Sequence, residues 1–287
     1  MDTLHTINET RAWLAREREQ NSRIALVPTM GNLHDGHLTL VEAALKNNSV
    51  VVVSIFVNPL QFGPDEDFDS YPRTLEADCK RLQSAGAHLV FAPNVGEMYP
   101  QGQTNHVEVK LPHLANLLCG EHRPGHFDGV GTVVMKLLNI VQPESAFFDE
   151  KDYQQLQLLR IITQQLNVPV KVEGVPTVRA PDGLALSSRN QYLSETERAA
   201  APLLHTTLLH IAEEISGGCD NFVELQEDAT RALQRAGFKP DYIEVRDAQT
   251  LRVPDKECTQ LRIIAAAQLG AARLIDNIAA QRRLVKE

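Results

Sequence analysis

Cysteine and positive charge are both scarce in this sequence. The four cysteines are scattered over 287 residues and form no Cys-x-x-Cys pair, which argues against a disulfide framework and against a zinc site. Acidic residues outnumber basic residues by 37 to 28, so a nucleic-acid partner held through its phosphates is not expected. Reduced thiols are typical of the cytoplasm, which is the location we predict.

Long apolar runs are also missing. No stretch approaches the ~20 consecutive apolar residues of a membrane-spanning helix, so no membrane partner is expected. The first 20 residues are rich in Arg and Glu and lack the apolar core of a signal peptide. The sequence therefore predicts a soluble protein. A hydrophobic content of 43% is enough for a substantial core in one large or two moderate domains.

The stretch that starts at Ile24 predicts a strand, a turn and a helix in succession. The apolar run Ile24–Val27 is followed by a glycine-containing turn and then by apolar residues at helical spacing from Leu38 onward. Such a turn brings a helix N-terminus to the end of a sheet, where backbone N–H groups can receive a phosphate. His34 and His37 would share one face of this helix and could donate hydrogen bonds to the same anion.

Strand and helix signals alternate along the first part of the chain. The run Val50–Val57 is the strongest strand signal, and its uninterrupted β-branched residues predict a central strand of a parallel sheet. We predict an α/β fold with a Rossmann-like parallel-sheet nucleotide-binding domain over residues 1–176. A smaller α+β domain, which could act as a lid, is expected over residues 177–287. Its helices are predicted over Ser194–Ser216 and Asn221–Ala236.

Several polar residues stand where these elements end. Asn58 and Gln61 follow the central strand, where open α/β sheets bind ligands, although a simple Pro turn would look similar. Arg123 and His126 precede a buried helical stripe and could bind a carboxylate, or they could be surface residues. An acidic cluster is interpreted as a solvated loop rather than as a metal site, and it comprises Asp65, Glu66, Asp67 and Asp69.

Three segments carry a resemblance to known proteins. The His-x-Gly-His end of Pro28–His37 resembles the signature of the nucleotidyltransferase superfamily, and the whole segment resembles the pantothenate synthetase family. The segment Phe147–Gln155 matches the family motif Phe-Phe-Gly-Glu-Lys-Asp-Tyr-Gln-Gln except that Asp149 replaces the glycine. The segment Ser187–Asn190 resembles the second superfamily signature, a mobile loop that closes over triphosphate. A weaker match extends through Ile275–Asn277.

The resemblance implies an ATP-dependent condensation of (R)-pantoate with β-alanine through a pantoyl adenylate, which releases AMP and pyrophosphate. It also implies Mg²⁺ and a homodimer. Catalytic roles are implied for His34, His37, Lys151, Ser187, Ser188 and Arg189. ATP contacts are implied for those residues and for Met30, Gly31, Asn32, Leu33, Asp35, Gly36, Asp149, Glu150, Asp152, Val178 and Leu186. Substrate contacts are implied for Gln61 and Gln155, with Asn58, Arg123 and His126 beside them.

Two alternatives remain open at this point. Another nucleotidyltransferase would share the phosphate-binding residues but keep the nucleotidyl group in its product. A non-catalytic nucleotide-binding regulator would keep the glycines without needing the combined His, Lys and Ser-Ser-Arg set. The departure at Asp149 raises a further expectation: if the family glycine serves a positive φ, Asp149 adopts an uncommon backbone conformation, and its charge could repel phosphates.

Overall fold

The structure, a computed structural model, describes residues 1–64, 66–111 and 113–283. The chain divides into two compact units. The first comprises residues 1–150 and 155–176, and the second comprises residues 151–154 and the chain from residue 177 onward. The last four residues of the predicted 177–287 domain lie outside the described part.

The first unit is built on a parallel sheet. Within the described residues its six strands follow the order β1-β4-β3-β2-β5-β6, and every neighbouring pair is parallel. The strands are β1 (Asp2–Leu4), β2 (Ile24–Thr29), β3 (Val50–Ile55), β4 (Leu89–Phe91), β5 (Ser145–Asp149) and β6 (Lys171–Val175). The Rossmann-like fold class is confirmed, with β3 inside the sheet as its β-branched run predicted.

Helices cover both faces of this sheet. Alternate residues of the central strands point to opposite sides: Leu26 and Val52 belong to one hydrophobic core, and Val27 and Val53 belong to another. The helices are α1 (Ile7–Glu19), α2 (Asp35–Leu45), α3 (Leu75–Ser84), α4 (Val95–Met98), α5 (Cys119–His122), α6 (His126–Val141) and α7 (Tyr153–Gln165). Burial on two faces is the reason that β3 lacks polar alternation.

The strand order reverses at β2. This strand pairs with β3 on one side and with β5 on the other, so the chain leaves β2 in one direction first and later returns to its opposite edge. In open α/β sheets the crevice at such a reversal, beyond the carboxyl ends of the strands, is where ligands bind. Residues Met30–His37 follow β2, and Asp149 ends β5, at this edge.

The second unit has the predicted α+β character. An antiparallel sheet of β7 (Lys239–Asp247), β8 (Gln260–Leu269) and β9 (Ala272–Gln281) packs with α8 (Glu195–Ala200), α9 (Leu203–Gly217) and α10 (Phe222–Arg235). The prediction of one helix over Ser194–Ser216 is wrong, because α8 and α9 are separate. Pro202 lies between them, and a proline inside a helix lacks the N–H that the preceding turn requires. No helix of the described residues is long and apolar enough to span a membrane.

Candidate active site

The turn after β2 is a left-handed backbone segment. Gly31 has φ +84°, and Asn32 has φ +51°, which are conformations that glycine and asparagine tolerate better than most residues. A Cβ on Gly31 would stand 3.1 Å from Asp78 Oδ2 and 3.1 Å from Ile55 Cγ2. Glycine is therefore needed here both for its φ and for the close approach of neighbouring side chains.

Helix α3 holds this turn in place. Asp78, only 2% exposed, accepts hydrogen bonds from the backbone N–H groups of Asn32 at 2.9 Å and Leu33 at 2.8 Å. Arg81, one turn further along α3, donates to the Leu33 carbonyl at 2.9 Å and pairs with the Asp35 carboxylate at 2.5 Å. Sequence analysis missed Asp78 and Arg81, because both lie more than 40 positions from the turn that they hold.

The two histidines of the signature contact one another at the start of α2. Their ring centroids are 4.1 Å apart. The backbone N–H of His34 donates to Nδ1 of His37 at 3.2 Å. Because Nδ1 accepts this bond, the neutral His37 ring carries its proton on Nε2. Nε2 of His37 is therefore a hydrogen-bond donor at the N-terminus of α2, which already favours anions.

Gly36 leaves just enough room for His34. A Cβ on Gly36 would lie 2.9 Å from both Cε1 and Nδ1 of His34, and 3.8 Å from Oδ2 of Asp149. The carboxylate of Asp149 therefore stands close to the first turn of α2. Asp149 is not among the described residues with positive φ, so the uncommon backbone conformation considered for it is not found.

An amide cluster stands at the carboxyl end of β3. Asn58 donates through Nδ2 to Oε1 of Gln61 at 3.2 Å. Gln61 in turn donates through Nε2 to the sulfur of Met30 at 3.0 Å. The structure thus brings together three residues that the sequence assigned to the site. Sulfur is a weak acceptor, so a ligand oxygen could readily take the place of Met30 at this amide.

Arg123 and His126 both hold the main chain at Gln61. Nδ1 of His126 lies 2.8 Å from the Gln61 carbonyl oxygen, and Arg123 donates to the same oxygen at 3.3 Å. Arg123 also pairs with Glu66, with Nε to Oε1 at 2.6 Å. Burial would raise the pKa of Glu66, but the hydrogen bond and charge of Arg123 outweigh it and lower the pKa. Asp65, which belongs to the same predicted acidic cluster, lies outside the described residues.

The second unit carries the lysine and the serine loop. Lys151 donates through Nζ to the Leu186 carbonyl at 3.0 Å. The loop itself folds back as a narrow hairpin, because the N–H of Leu186 donates to the Val178 carbonyl at 2.9 Å. Ser187 caps the short 3-10 helix Ser188–Tyr192 by accepting from the Arg189 N–H at 3.2 Å. The hairpin and its 3-10 helix therefore bring together five of the predicted residues: Lys151, Val178, Leu186, Ser187 and Arg189.

A buried carboxylate on β9 anchors this hairpin. Asp276, 3% exposed, binds both terminal nitrogens of Arg179, at 2.6 and 2.8 Å. His205 on α9 places Nδ1 3.5 Å from the same carboxylate. Burial would raise the pKa of Asp276, but contact with His205 and the bonds and charge of Arg179 lower it below its ordinary value. The next residue, Asn277, donates to the Lys151 carbonyl at 2.8 Å.

The remaining predicted residues occupy element ends. Glu150 and Asp152 belong to the 3-10 turn Glu150–Asp152 that follows β5, and Gln155 lies half-buried on the first turn of α7. Ser188 opens the 3-10 helix after Ser187. The described residues contain no group of three or more His, Cys, Asp or Glu side chains placed to hold a metal ion. An Mg²⁺ ion that is bound to a triphosphate does not need such a group of side chains, since it is usually held by phosphates and one or two carboxylates.

The fold defines a Rossmann-like α/β protein in which a helix N-terminus stands at the reversal point of the parallel sheet, the place where such folds bind phosphates. Comparison with known proteins narrows this class. Residues 2–279 match the family model described as Pantoate-beta-alanine ligase. The chain belongs to the pantoate–beta-alanine ligase family, and this confirms the resemblance found in the sequence. It is an enzyme of the ligase class, of pantothenate biosynthesis.

Individual relatives cover nearly the whole chain. The pantothenate synthetase of Pseudomonas aeruginosa strain UCBPP-PA14 is 55% identical over 97% of this chain and 98% of its own length. A crystal structure of the pantothenate synthetase from Thermus thermophilus has a TM-score of 0.88 at 49% identity and covers 97% of this chain and 99% of its own. A Francisella tularensis pantoate-beta-alanine ligase, complexed with beta-gamma ATP and beta-alanine, has a TM-score of 0.81 at 35% identity and covers 97% of both chains.

Proposed function

We propose that this enzyme condenses (R)-pantoate with β-alanine in two steps. In the first, a carboxylate oxygen of pantoate attacks the α-phosphorus of ATP, the bond to the bridging oxygen of pyrophosphate breaks, and pantoyl adenylate forms. In the second, the amine of β-alanine attacks the acyl carbon, AMP leaves with the carboxylate oxygen, and the nitrogen loses a proton. Adenylation is needed because a free carboxylate is a poor acyl donor.

The observation that carries this proposal is the donor at the start of α2. His37 presents Nε2–H at a helix N-terminus because its Nδ1 is occupied by the His34 N–H. Negative charge grows on the phosphates as pyrophosphate departs, and a donor already in place there stabilises the transition state more than the ground state. We assign His34 and His37 to ATP, together with the backbone from Met30 to Gly36. The ring contact between the histidines fixes the direction of both.

The second unit supplies the remaining cations and donors in this proposal. Lys151 and Arg189 would neutralise the triphosphate, and Ser187 and Ser188 would donate hydrogen bonds to it. The bond from Lys151 to the Leu186 carbonyl keeps its ammonium group in the hairpin until a phosphate oxygen offers a stronger, charge-assisted partner. Val178 and Leu186 would contact ATP through the same hairpin, and Glu150 and Asp152 through the turn beside Lys151.

Pantoate is assigned to the amide cluster. The side-chain N–H of Gln61 donates to the sulfur of Met30 in this structure. The same donor suits a hydroxyl or carboxylate oxygen of the substrate. Gln155 would be the second amide. Arg123 and His126 would act on pantoate through the main chain of Gln61, which both of them contact. Mg²⁺, when it is bound with ATP, would neutralise the triphosphate.

The setting of the reaction is also part of the proposal. We place the enzyme in the cytoplasm, where its cysteines, all four of them described as free thiols, would stay reduced. We propose a homodimer, following the resemblance. Nucleic acid is not proposed as a partner, since the net charge of −9 opposes phosphate-backbone binding.

The test is identification of products. The protein is incubated with ATP, Mg²⁺, pantoate and β-alanine, and we expect pantothenate, AMP and pyrophosphate in equal amounts. Without β-alanine, pantoate should still support exchange of labelled pyrophosphate into ATP, because adenylation precedes the amine. Formation of ADP and phosphate would contradict the adenylate route. A product that retains the nucleotidyl group would instead identify another nucleotidyltransferase.

A further inference from the structure

Tyr99 is a buried tyrosine that no part of the proposed function uses. It follows the short helix α4 and is 3% exposed. Its hydroxyl lies 2.8 Å from Oδ1 of Asn58, which is itself only 1% exposed. Burial raises the pKa of Tyr99 above its ordinary value, so the hydroxyl keeps its proton and can donate it. The ring is held by His106, edge-on at 5.4 Å between centroids, and by Phe56.

The side-chain amide of Asn58 has one possible orientation. Its Nδ2 donates to the Gly129 carbonyl at 3.1 Å, and its Oδ1 accepts from the Leu60 N–H at 3.4 Å. A flipped amide would set oxygen against the Gly129 carbonyl oxygen and N–H against the Leu60 N–H. The backbone approaches closely here, since a Cβ on Gly129 would lie 2.2 Å from the Leu60 carbonyl oxygen. The second lone pair of Oδ1 therefore requires a donor, and Tyr99 supplies it.

The orientation of the Asn58 amide determines the orientation of the Gln61 side-chain amide. The second proton of Asn58 Nδ2 points to Oε1 of Gln61, so that oxygen is committed to the protein. The amide nitrogen of Gln61 is then left to face Met30 and, in our proposal, the substrate. Were the amide of Gln61 reversed, an oxygen would face the carboxylate of pantoate and repel it. The direction of the Gln61 amide thus decides whether the site attracts or rejects the substrate.

We infer that Tyr99 is a positioning residue for the pantoate site, acting through Asn58 to fix the amide of Gln61 with its N–H₂ group toward the substrate. Tyr99 touches no substrate in this account. Its hydroxyl completes the four hydrogen bonds of Asn58, and bonds in such a buried chain strengthen one another. The inference rests on the proposed function for the identity of the substrate, but the chain of hydrogen bonds exists without it.

The kinetic test uses Tyr99→Phe, which removes the hydroxyl and keeps the ring. We expect KM for pantoate to rise roughly threefold to tenfold, the usual consequence of one lost buried hydrogen bond, while KM for ATP stays within about twofold. In a Gln61→Ala background the same substitution should change KM for pantoate by less than about twofold, because the residue through which Tyr99 acts is gone. Tyr242→Phe, which removes a tyrosine hydroxyl from β7, is the matched control.

An equal effect of Tyr99→Phe in both backgrounds would overturn the inference, since a merely structural role does not depend on Gln61. A second measurement needs no substrate. In ¹⁵N-labelled ligand-free protein the Gln61 side-chain amide signals, assigned by their loss in Gln61→Ala, should shift in Tyr99→Phe and remain in place in Tyr242→Phe. Unchanged Gln61 signals would refute the inference that Tyr99 acts on Gln61 through Asn58. Failure of the wild type to use pantoate would refute the proposed function alone and leave this result standing.

Discussion

Substitution of Gly36 by alanine should separate stability from activity. Gly36 is the second residue of α2, and its φ is not in the left-handed region. Alanine is the better helix former there, by up to about 0.5–1 kcal/mol. The new methyl group would stand 2.9 Å from two atoms of the His34 ring, whereas ordinary carbon contacts are about 3.5–4.0 Å. The ring must therefore move by roughly 0.6–1 Å.

A displacement of this size matters because His34 contacts His37. Misplacement of reacting groups by ~1 Å can cost on the order of 10²-fold in rate. We expect Gly36→Ala to slow pantoate-dependent pyrophosphate–ATP exchange by roughly 10- to 100-fold, equivalent to about 1.4–2.7 kcal/mol of transition-state stabilisation. The melting temperature should be equal to or higher than that of the wild type. Exchange kinetics and thermal unfolding, measured on the same preparation, test the expected loss of rate and the expected melting temperature.

Gly217→Ala is the matched control. Gly217 is the last residue of α9, and a Cβ there would meet no atom within 4 Å. This variant should leave the exchange rate unchanged. A wild-type exchange rate in Gly36→Ala would refute the requirement for a fixed His34 ring. A large fall in its melting temperature would refute the expectation that the substitution impairs catalysis without destabilising the fold.

Three further results are expected. His37→Ala should slow pyrophosphate exchange by about 10²–10³-fold, yet supplied pantoyl adenylate should react with β-alanine at a nearly normal rate; failure only in amide formation would place His37 on the amine instead. Asp78→Asn should cost roughly 2–3 kcal/mol in denaturant unfolding, because one backbone N–H of the turn loses its charged acceptor, and wild-type stability would mean that the turn holds itself. Asp276→Asn should destabilise the fold by roughly 2–3 kcal/mol at neutral pH. Since the folded-state pKa of Asp276 lies below its ordinary 3.8, the wild-type advantage should persist above that value and shrink as the pH falls through the folded pKa; a gap that does not depend on pH would contradict this.

The parts of the fold that sequence predicted well depend on local signals. The β-branched run of β3 is continuous, and the apolar stripe of α6 repeats at helical spacing, so each signal lies within its own element; both elements are found where the pattern placed them. Strand β1 was missed because three residues, Asp2–Leu4, carry too little pattern, and it exists only because it pairs with β4. The break at Pro202 was readable in the sequence and was overlooked.

Within the site, sequence showed the residues that carry chemistry but not those that hold them. The spacing of His34 and His37 predicted a shared helix start, and they are in contact. Asp78 and Tyr99 were missed, and Asp276 received no role although it lies in the matched segment Ile275–Asn277, because each acts over a separation of 41 to 97 positions, which no local pattern records. Buried polar side chains in contact with main chain become recognisable only once the fold is known.

The adenylate route is tested most directly by following a carboxylate oxygen of pantoate. Pantoate labelled with ¹⁸O in its carboxylate is converted to pantothenate with ATP and β-alanine, and the phosphorus products are analysed by mass. If the carboxylate attacks the α-phosphorus and the amine then breaks the acyl C–O bond, one labelled oxygen should appear in each AMP. Label in inorganic phosphate, with unlabelled AMP or ADP, would contradict the account.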